Sequence, residues 1–319
     1  MLRYSQQGFL KRMCLYKMEK KIIFDTDLGG DCDDVMALDL LLAAHRAGEC
    51  SLVGVTYSAL VGNAVPCIYA LLRDRRLESI PIGARPISRP DGGEDYYATA
   101  VAEKFASPDA PRYTDVPSAV SLLRRLLVQN GQVTVVATGF LTNLGALLRS
   151  EGDDVSPLNG VELVRRYVTE FAVMAGNFAH QKTGAEPTPE YNIVCDIPAA
   201  QDFFALCPVP VMVSPFELGL DMLSGSAMTA RGGENHPDSY SFLVHGSANG
   251  RHSWDPVTAL YGVYGTADCL LASETGAVAV RGDGITDFTP MPDGLHRILT
   301  NQKEKKEIVA RLDSLVDRL

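Results

Sequence analysis

Short apolar runs alternate with helical patterns from about residue 20 to the end of the chain. Residues 21–27 (KIIFDTD) read as a buried strand, and residues 33–48 (DDVMALDLLLAAHRAG) as a helix ended by Gly48. A second strand is expected over 51–58, followed by a helix over 64–76. Further on, a helix at 119–130 precedes a strand at 132–138, and another strand spans 169–176. A helix at 197–206 leads into a strand at 209–216, and an amphipathic helix closes the chain at 304–319. Apolar strands alternating with helices predict an α/β fold: one mostly parallel sheet covered on both faces, of Rossmann-like type. In such open sheets, ligands bind at the carboxyl ends of the strands. The loops at 85–95 and 231–250, rich in Gly and Pro, are expected to be lids or surface loops.

Composition narrows the class. The 319 residues are 46% hydrophobic and 21% charged, which is globular and excludes disorder, collagen and coiled coil. Twenty-nine basic against 39 acidic residues give a net charge of −10, which disfavours nucleic-acid and anionic-membrane partners. The seven cysteines, at 14, 32, 50, 67, 195, 207 and 269, include no CxxC pair, so neither a disulfide framework nor a zinc knuckle is indicated and a reducing cytoplasm fits. No 18-residue apolar run suggests a membrane span. Residues 1–19 carry positive charge without an apolar core, so they read as an N-terminal extension rather than a secretory signal, and residues 20–319 as one catalytic domain.

The chemistry concentrates in the turn after the first strand. Asp25, Asp27, Asp31, Asp33 and Asp34 fall within ten residues, with Gly29 and Gly30 permitting a tight path. Helix capping by Asp31 or Asp33 accounts for one or two carboxylates, not five. Like charges packed together raise one another's free energy unless a cation joins them, and all-oxygen ligands point to Ca²⁺ or Mg²⁺. An EF-hand loop counted from Asp25 would require Glu where Met36 stands. A haloacid-dehalogenase phosphatase would want Thr or Val where Gly29 stands.

DTDLGGDCDD (25–34) resembles the opening motif of the inosine–uridine-preferring nucleoside hydrolase family in its longer form, DxDxGxDxDD. Cys32 is a poor ligand for a hard cation, which sets the adjacent acidic pair at Asp33–Asp34. Four later segments match in order: VGN (61–63), ATGFLTN (137–143), MAGN with EYN (174–177 and 190–192) and SWDPVTALY (253–261). Taken singly, each has a plainer reading, such as a turn capped by Thr142 or Asn143, a polar surface loop, or Asp255–Pro256 starting a helix. Their joint order carries the resemblance over roughly residues 20–319.

The resemblance implies hydrolysis of the N-glycosidic bond of a ribonucleoside, giving free base and ribose. It implies a calcium ion held by Asp27, Asp34, Asp255 and the backbone carbonyl of Thr138. Asp27 would act as general base, Asp25 as support behind it, and Asp33, Asn63, Asn177, Glu190 and Asn192 would hold the ribose. A homodimer or homotetramer is also implied. Where many members carry His before the last Asp, to protonate the departing base, this chain has Trp254, its only Trp; Leu28 replaces the usual Pro. An indole cannot serve as an acid, so stacking on Trp254 and a preference for purines are expected, with His252 the nearby substitute and Tyr96 or Tyr97 a second stacking face. The alternatives are hydrolysis of another riboside, nicotinamide-type or modified, and a non-catalytic nucleoside- or ribose-binding protein.

Overall fold

Ile22, Ile23 and Phe24 are buried on both faces of one strand because that strand lies in the middle of a sheet. The computed structural model describes residues 20–86 and 93–319; the expected extension 1–19 and part of the expected lid 85–95 lie outside the described residues. The strands are β1 (Lys20–Thr26), β2 (Cys50–Tyr57), β3 (Ile82–Ala84), β4 (Val133–Ala137), β5 (Val168–Met174) and β6 (Val211–Ser214). They are followed by the short pair β7 (Leu223–Ser224) and β8 (Arg251–His252), then β9 (Leu270–Ala272), β10 (Gly276–Val280), β11 (Thr286–Pro290) and β12 (His296–Asn301). The main sheet runs β11-β10-β12-β6-β5-β4-β1-β2-β3, with β9 paired to β12. From β3 to β12 the pairs are parallel, and β9, β10 and β11 add antiparallel pairs at the other end.

Alternation along β1 sends side chains into two separate cores. Ile22 and Phe24 join one core with Val35, Ile68, Val257 and Ile308, from the helices Asp33–Arg46, Ala64–Asp74, Trp254–Tyr264 and Lys305–Val316. Ile23 joins the other with Leu123, Leu144, Leu163 and Phe203, from Ala119–Asn130, Thr142–Leu148, Gly160–Tyr167 and Ile197–Leu206. The expected α/β sheet with helices on both faces is therefore the observed fold. The Asp33–Arg46 helix is buried from Asp33 through Ala44, because it is packed between the sheet and neighbouring helices, among them Trp254–Tyr264.

Helices 119–130 and 197–206 have the expected limits. The strand expected over 209–216 contracts to Val211–Ser214, since Pro210 and Pro215 cannot donate to a ladder. The segment 231–250 is not a plain loop. It holds the helix Pro237–His245, whose proline occupies the first turn, where a missing N–H costs nothing. Residues 270–301 form β9 to β12, four short strands that the sequence pattern did not predict. The six described cysteines form no disulfide with one another, and no described helix is long and apolar enough to cross a membrane.

Candidate active site

The order β3-β2-β1-β4-β5-β6 reverses direction between β1 and β4, and a crevice opens there at the carboxyl ends of the strands. Asp25 pairs in register with Ala137, so the residues after each strand, Asp27 and Thr138–Gly139, come side by side. The Thr138 N–H donates to the Asp25 carbonyl at 2.8 Å. Gly139 is required by this approach: a Cβ there would lie 2.2 Å from Ser58 Oγ and 2.6 Å from the Asp27 nitrogen. The glycine in ATGFLTN thus makes room for the end of β1.

The carboxylates gather where two helices begin. Asp33 and Asp34 stand in the first turn of Asp33–Arg46 and Asp255 in the first turn of Trp254–Tyr264. Each offers an oxygen within 4.8 Å of the others, and all three are buried. The Asp255 N–H donates to Asp33 Oδ2 at 3.0 Å. Asp34 Oδ1 accepts from Thr138 Oγ1 at 2.9 Å and from the Thr26 hydroxyl. Both helix N-termini favour negative charge, yet burial, together with the neighbouring carboxylates, pushes Asp33 and Asp255 well above the usual carboxylate range. Asp34 is pushed up to about 6, chiefly by burial. Half-buried Asp27, on the cavity wall, is likewise raised by burial and by Asp34.

No Lys or Arg pairs with Asp33, Asp34 or Asp255 among the described residues. A buried, all-oxygen donor set without a protein cation fits a hard divalent ion. Asp25 lies beneath, its Oδ2 accepting from Thr56 Oγ1 at 2.5 Å and Asn143 Nδ2 at 2.8 Å, while its Oδ1 has no partner among the described residues. Burial raises its pKa to about 7. Asp31 departs from the group: Arg251 Nη2 and Nε hold it at 2.6 and 2.8 Å, and it accepts from the Cys32 N–H.

The cavity above these groups measures about 480 Å³. Asp27, Asp33, Asp34, Thr138, Glu190, Asn192, Trp254 and Asp255 all line it. Glu190 caps the short helix Tyr191–Val194, accepting from the N–H groups of Gly176, Asn192 and Ile193, and burial lifts its pKa to about 7. Asn192 Nδ2 donates to the carbonyls of Thr138 at 2.8 Å and Met174 at 3.2 Å, and its Oδ1 takes no hydrogen bond among the described residues.

Asn63 and Asn177 are not on this wall. Asn63 is exposed and donates to Thr99 Oγ1 at 3.0 Å, because it precedes a helix that begins at Ala64 and turns away. The Asn177 side chain is spent on its own loop, donating to Thr188 Oγ1 and accepting from the Ala179 N–H.

Trp254 stacks on Phe216 with centroids 5.3 Å apart and planes 20° apart, and its Nε1 donates to the Phe216 carbonyl at 2.9 Å. His252 lies against the indole, off the cavity wall, with Nδ1 accepting from the Asp221 N–H at 2.9 Å. Of the two tyrosines, exposed Tyr96 lines the cavity, whereas buried Tyr97 braces the acidic turn through Gly29 N–H and the Asp31 carbonyl. Sequence reasoning gave no role to Arg85, Glu94, Phe140, Tyr191, Phe216, His245 or Arg251, all on the wall. Phe140 and Tyr191 lie inside the quoted motifs ATGFLTN and EYN and were findable there; the others carry no local signal.

The class is an α/β enzyme whose cavity, with a cluster of carboxylates and an aromatic wall, opens at the strand ends. Residues 22–311 match the family model described as inosine-uridine preferring nucleoside hydrolase. The chain belongs to that family and is an N-ribosyl hydrolase. No curated protein matches it. Among solved structures, it resembles a plant nucleoside hydrolase at 19% identity and a TM-score of 0.67, covering 93% of this chain and 98% of that one. It resembles the inosine-uridine preferring nucleoside hydrolase of Bacillus anthracis at 18% identity and a TM-score of 0.67, over 94% and 100% of the two chains. A third is the type III effector protein XopQ complexed with adenosine diphosphate ribose, at 16% identity and a TM-score of 0.66, over 99% of each chain. At these identities the likeness establishes the fold.

Proposed function

We propose that this cavity cleaves the N-glycosidic bond of a ribonucleoside with the help of a calcium ion. The observation that supports this most is the trio Asp33, Asp34 and Asp255, buried, mutually close and in no ion pair with Lys or Arg among the described residues. Asp27, Asp34, Asp255 and the carbonyl of Thr138 would hold the ion, and Asp33 would share its oxygens between the Asp255 N–H and a ribose hydroxyl. Calcium, when bound, supplies Lewis acidity toward a water molecule and the sugar hydroxyls.

Asp27 takes the proton from the attacking water, a role that its place on the wall beside Asp34 favours. Glu190 and the free Oδ1 of Asn192 accept from ribose hydroxyls and fix the sugar against the carboxylates. The surrounding carboxylates stabilise positive charge that develops at the anomeric carbon. Trp254 and Phe216, stacked on each other, both reach the cavity wall and offer the departing base an aromatic surface, which favours purines by contact area. Asn63 and Asn177, as placed, act by shaping their loops rather than by touching sugar. The family resemblance also favours a homodimer or homotetramer, which sedimentation would read.

The test is a screen of purified protein on nucleosides and a nitrophenyl riboside, scored by release of free base or nitrophenol. Turnover that requires calcium supports the reading. Binding without product would make this a ribose-binding member of the family instead.

A further inference from the structure

Two arginines line the cavity, and they are unlike. Arg251 is neutralised by Asp31 and lies over the Trp254 ring at 5.5 Å. Arg85 makes no side-chain hydrogen bond or ion pair among the described residues, although the same wall carries Glu94 and the acidic cluster. Its backbone is fixed on both sides: the Arg85 N–H donates to the Tyr57 carbonyl at 2.8 Å, and its carbonyl accepts from Tyr113 Oη at 2.8 Å. The side chain therefore reaches the wall from a fixed backbone, and among the described residues its guanidinium has no hydrogen-bond or ion-pair partner.

That place is set by register. Thr26 pairs with Tyr57, and Tyr57 with Ala84, so Arg85 follows β3 at the level where Asp27 follows β1. Two strand spacings separate them, roughly 10 Å. Arg85 thus lies beyond the ribose position, on the side opposite β4 and β5, which carry Thr138 and Met174. A neutral nucleoside has no anionic group that needs a guanidinium there. A phosphate does, because the planar fork of arginine matches two phosphate oxygens at once. In a cavity that carries Asp27, Asp33, Asp34, Glu190 and Asp255, such an anion would be repelled without it.

We propose that Arg85 recognises a phosphate group attached to the ribose, so that the substrate class is phosphorylated ribosides, either monophosphate esters or pyrophosphate conjugates. This rests on the proposed ribosyl hydrolase reading and names the substrate class of that same cavity.

Isothermal calorimetry on the full chain with excess calcium tests it, using ribose, ribose 5-phosphate and adenosine diphosphate ribose. Ribose and ribose 5-phosphate carry no nucleobase, the terminal ribose of adenosine diphosphate ribose has a free anomeric hydroxyl, and binding of all three is read without turnover. Ribose 5-phosphate should bind at least about tenfold tighter than ribose. In Arg85→Gln that ratio should fall to near one, and in Arg85→Lys to an intermediate value. Adenosine diphosphate ribose binding tighter than ribose 5-phosphate identifies a pyrophosphate conjugate, and the reverse order identifies a monophosphate ester. Equal binding of ribose and ribose 5-phosphate by the wild type overturns the proposal, as does an equal loss of both in Arg85→Gln. Adenosine and its 5′-monophosphate, assayed in parallel for free adenine, separate the two readings. A preserved phosphate ratio without adenine release refutes hydrolysis and leaves Arg85 standing. Adenine release with a ratio near one does the opposite.

Discussion

Asp255 donates its backbone N–H to Oδ2 of Asp33 at 3.0 Å, across 222 positions of sequence. The bond fixes the first turns of two helices against each other, so that three carboxylates converge although Coulomb repulsion opposes it. Such a cluster is stable as anions only with a counter-charge, and from this the first prediction follows.

Protein stripped with a chelator should lose turnover and melt at a lower temperature, and calcium should restore both. At a hundredfold excess over Kd the ion should add about 2.7 kcal/mol to folding stability. Asp255→Asn should abolish most of that gain. Scanning calorimetry with and without calcium reads the effect, and an unchanged melting curve would remove the ion from the site.

Asp27→Asn keeps the shape of the side chain and removes its capacity to accept a proton. Free-base release should fall by at least ~10² at saturating substrate. Near-normal kcat in this variant would move the base to another residue.

For the departing base, the contest is between Trp254 and His252. Trp254 lines the cavity, whereas His252 does not and its Nδ1 accepts from the Asp221 N–H. Trp254→Ala should therefore depress turnover of inosine and adenosine far more than His252→Ala does. Uridine as the best wild-type substrate, or a crippled His252→Ala, contradicts the stacking account.

Away from the cavity, burial pushes the His296 pKa down to about 4 from 6.5. The unfolded chain takes up this proton first, so the contribution to stability is complete above about pH 6.5 and is lost as pH falls toward 4. Between pH 7 and pH 5 the loss should be roughly 2 kcal/mol. His296→Gln keeps an acceptor for the Val278 N–H, which Nδ1 now meets at 2.9 Å. Urea unfolding across that range should show a shallower acid slope in the variant, and parallel slopes would contradict the assignment.

The parallel half of the sheet was legible because its strands are continuous apolar runs, such as Ile22–Phe24, that nothing but burial explains. Strands β9 to β12 were not, because their half-exposed residues alternate over only three to six positions. In the site, Asp27, Asp33 and Asp34 stand out in the sequence because like charges crowded at a strand-to-helix turn are costly without a purpose, whereas Asp255 is legible only through the resemblance of SWDPVTALY. Asn63 and Asn177 matched a pattern of letters, but helix and loop geometry decides where an amide points, and spacing does not encode it. Arg85 was invisible for the converse reason. A single arginine after a strand looks like any surface cation until the neighbouring strands set its depth.

The close approach of Gly139 to the end of β1 has a bearing on how the chain can vary. With Ser58 Oγ and the Asp27 nitrogen within 2.6 Å of where a methyl would sit, an alanine could be accommodated only by parting the two strand ends. That would carry Asp27 away from Thr138 without removing any polar group. Activity here is thus hostage to a hydrogen atom: the position tolerates no side chain, and a mutation with no chemistry of its own would disarm the centre by spacing alone.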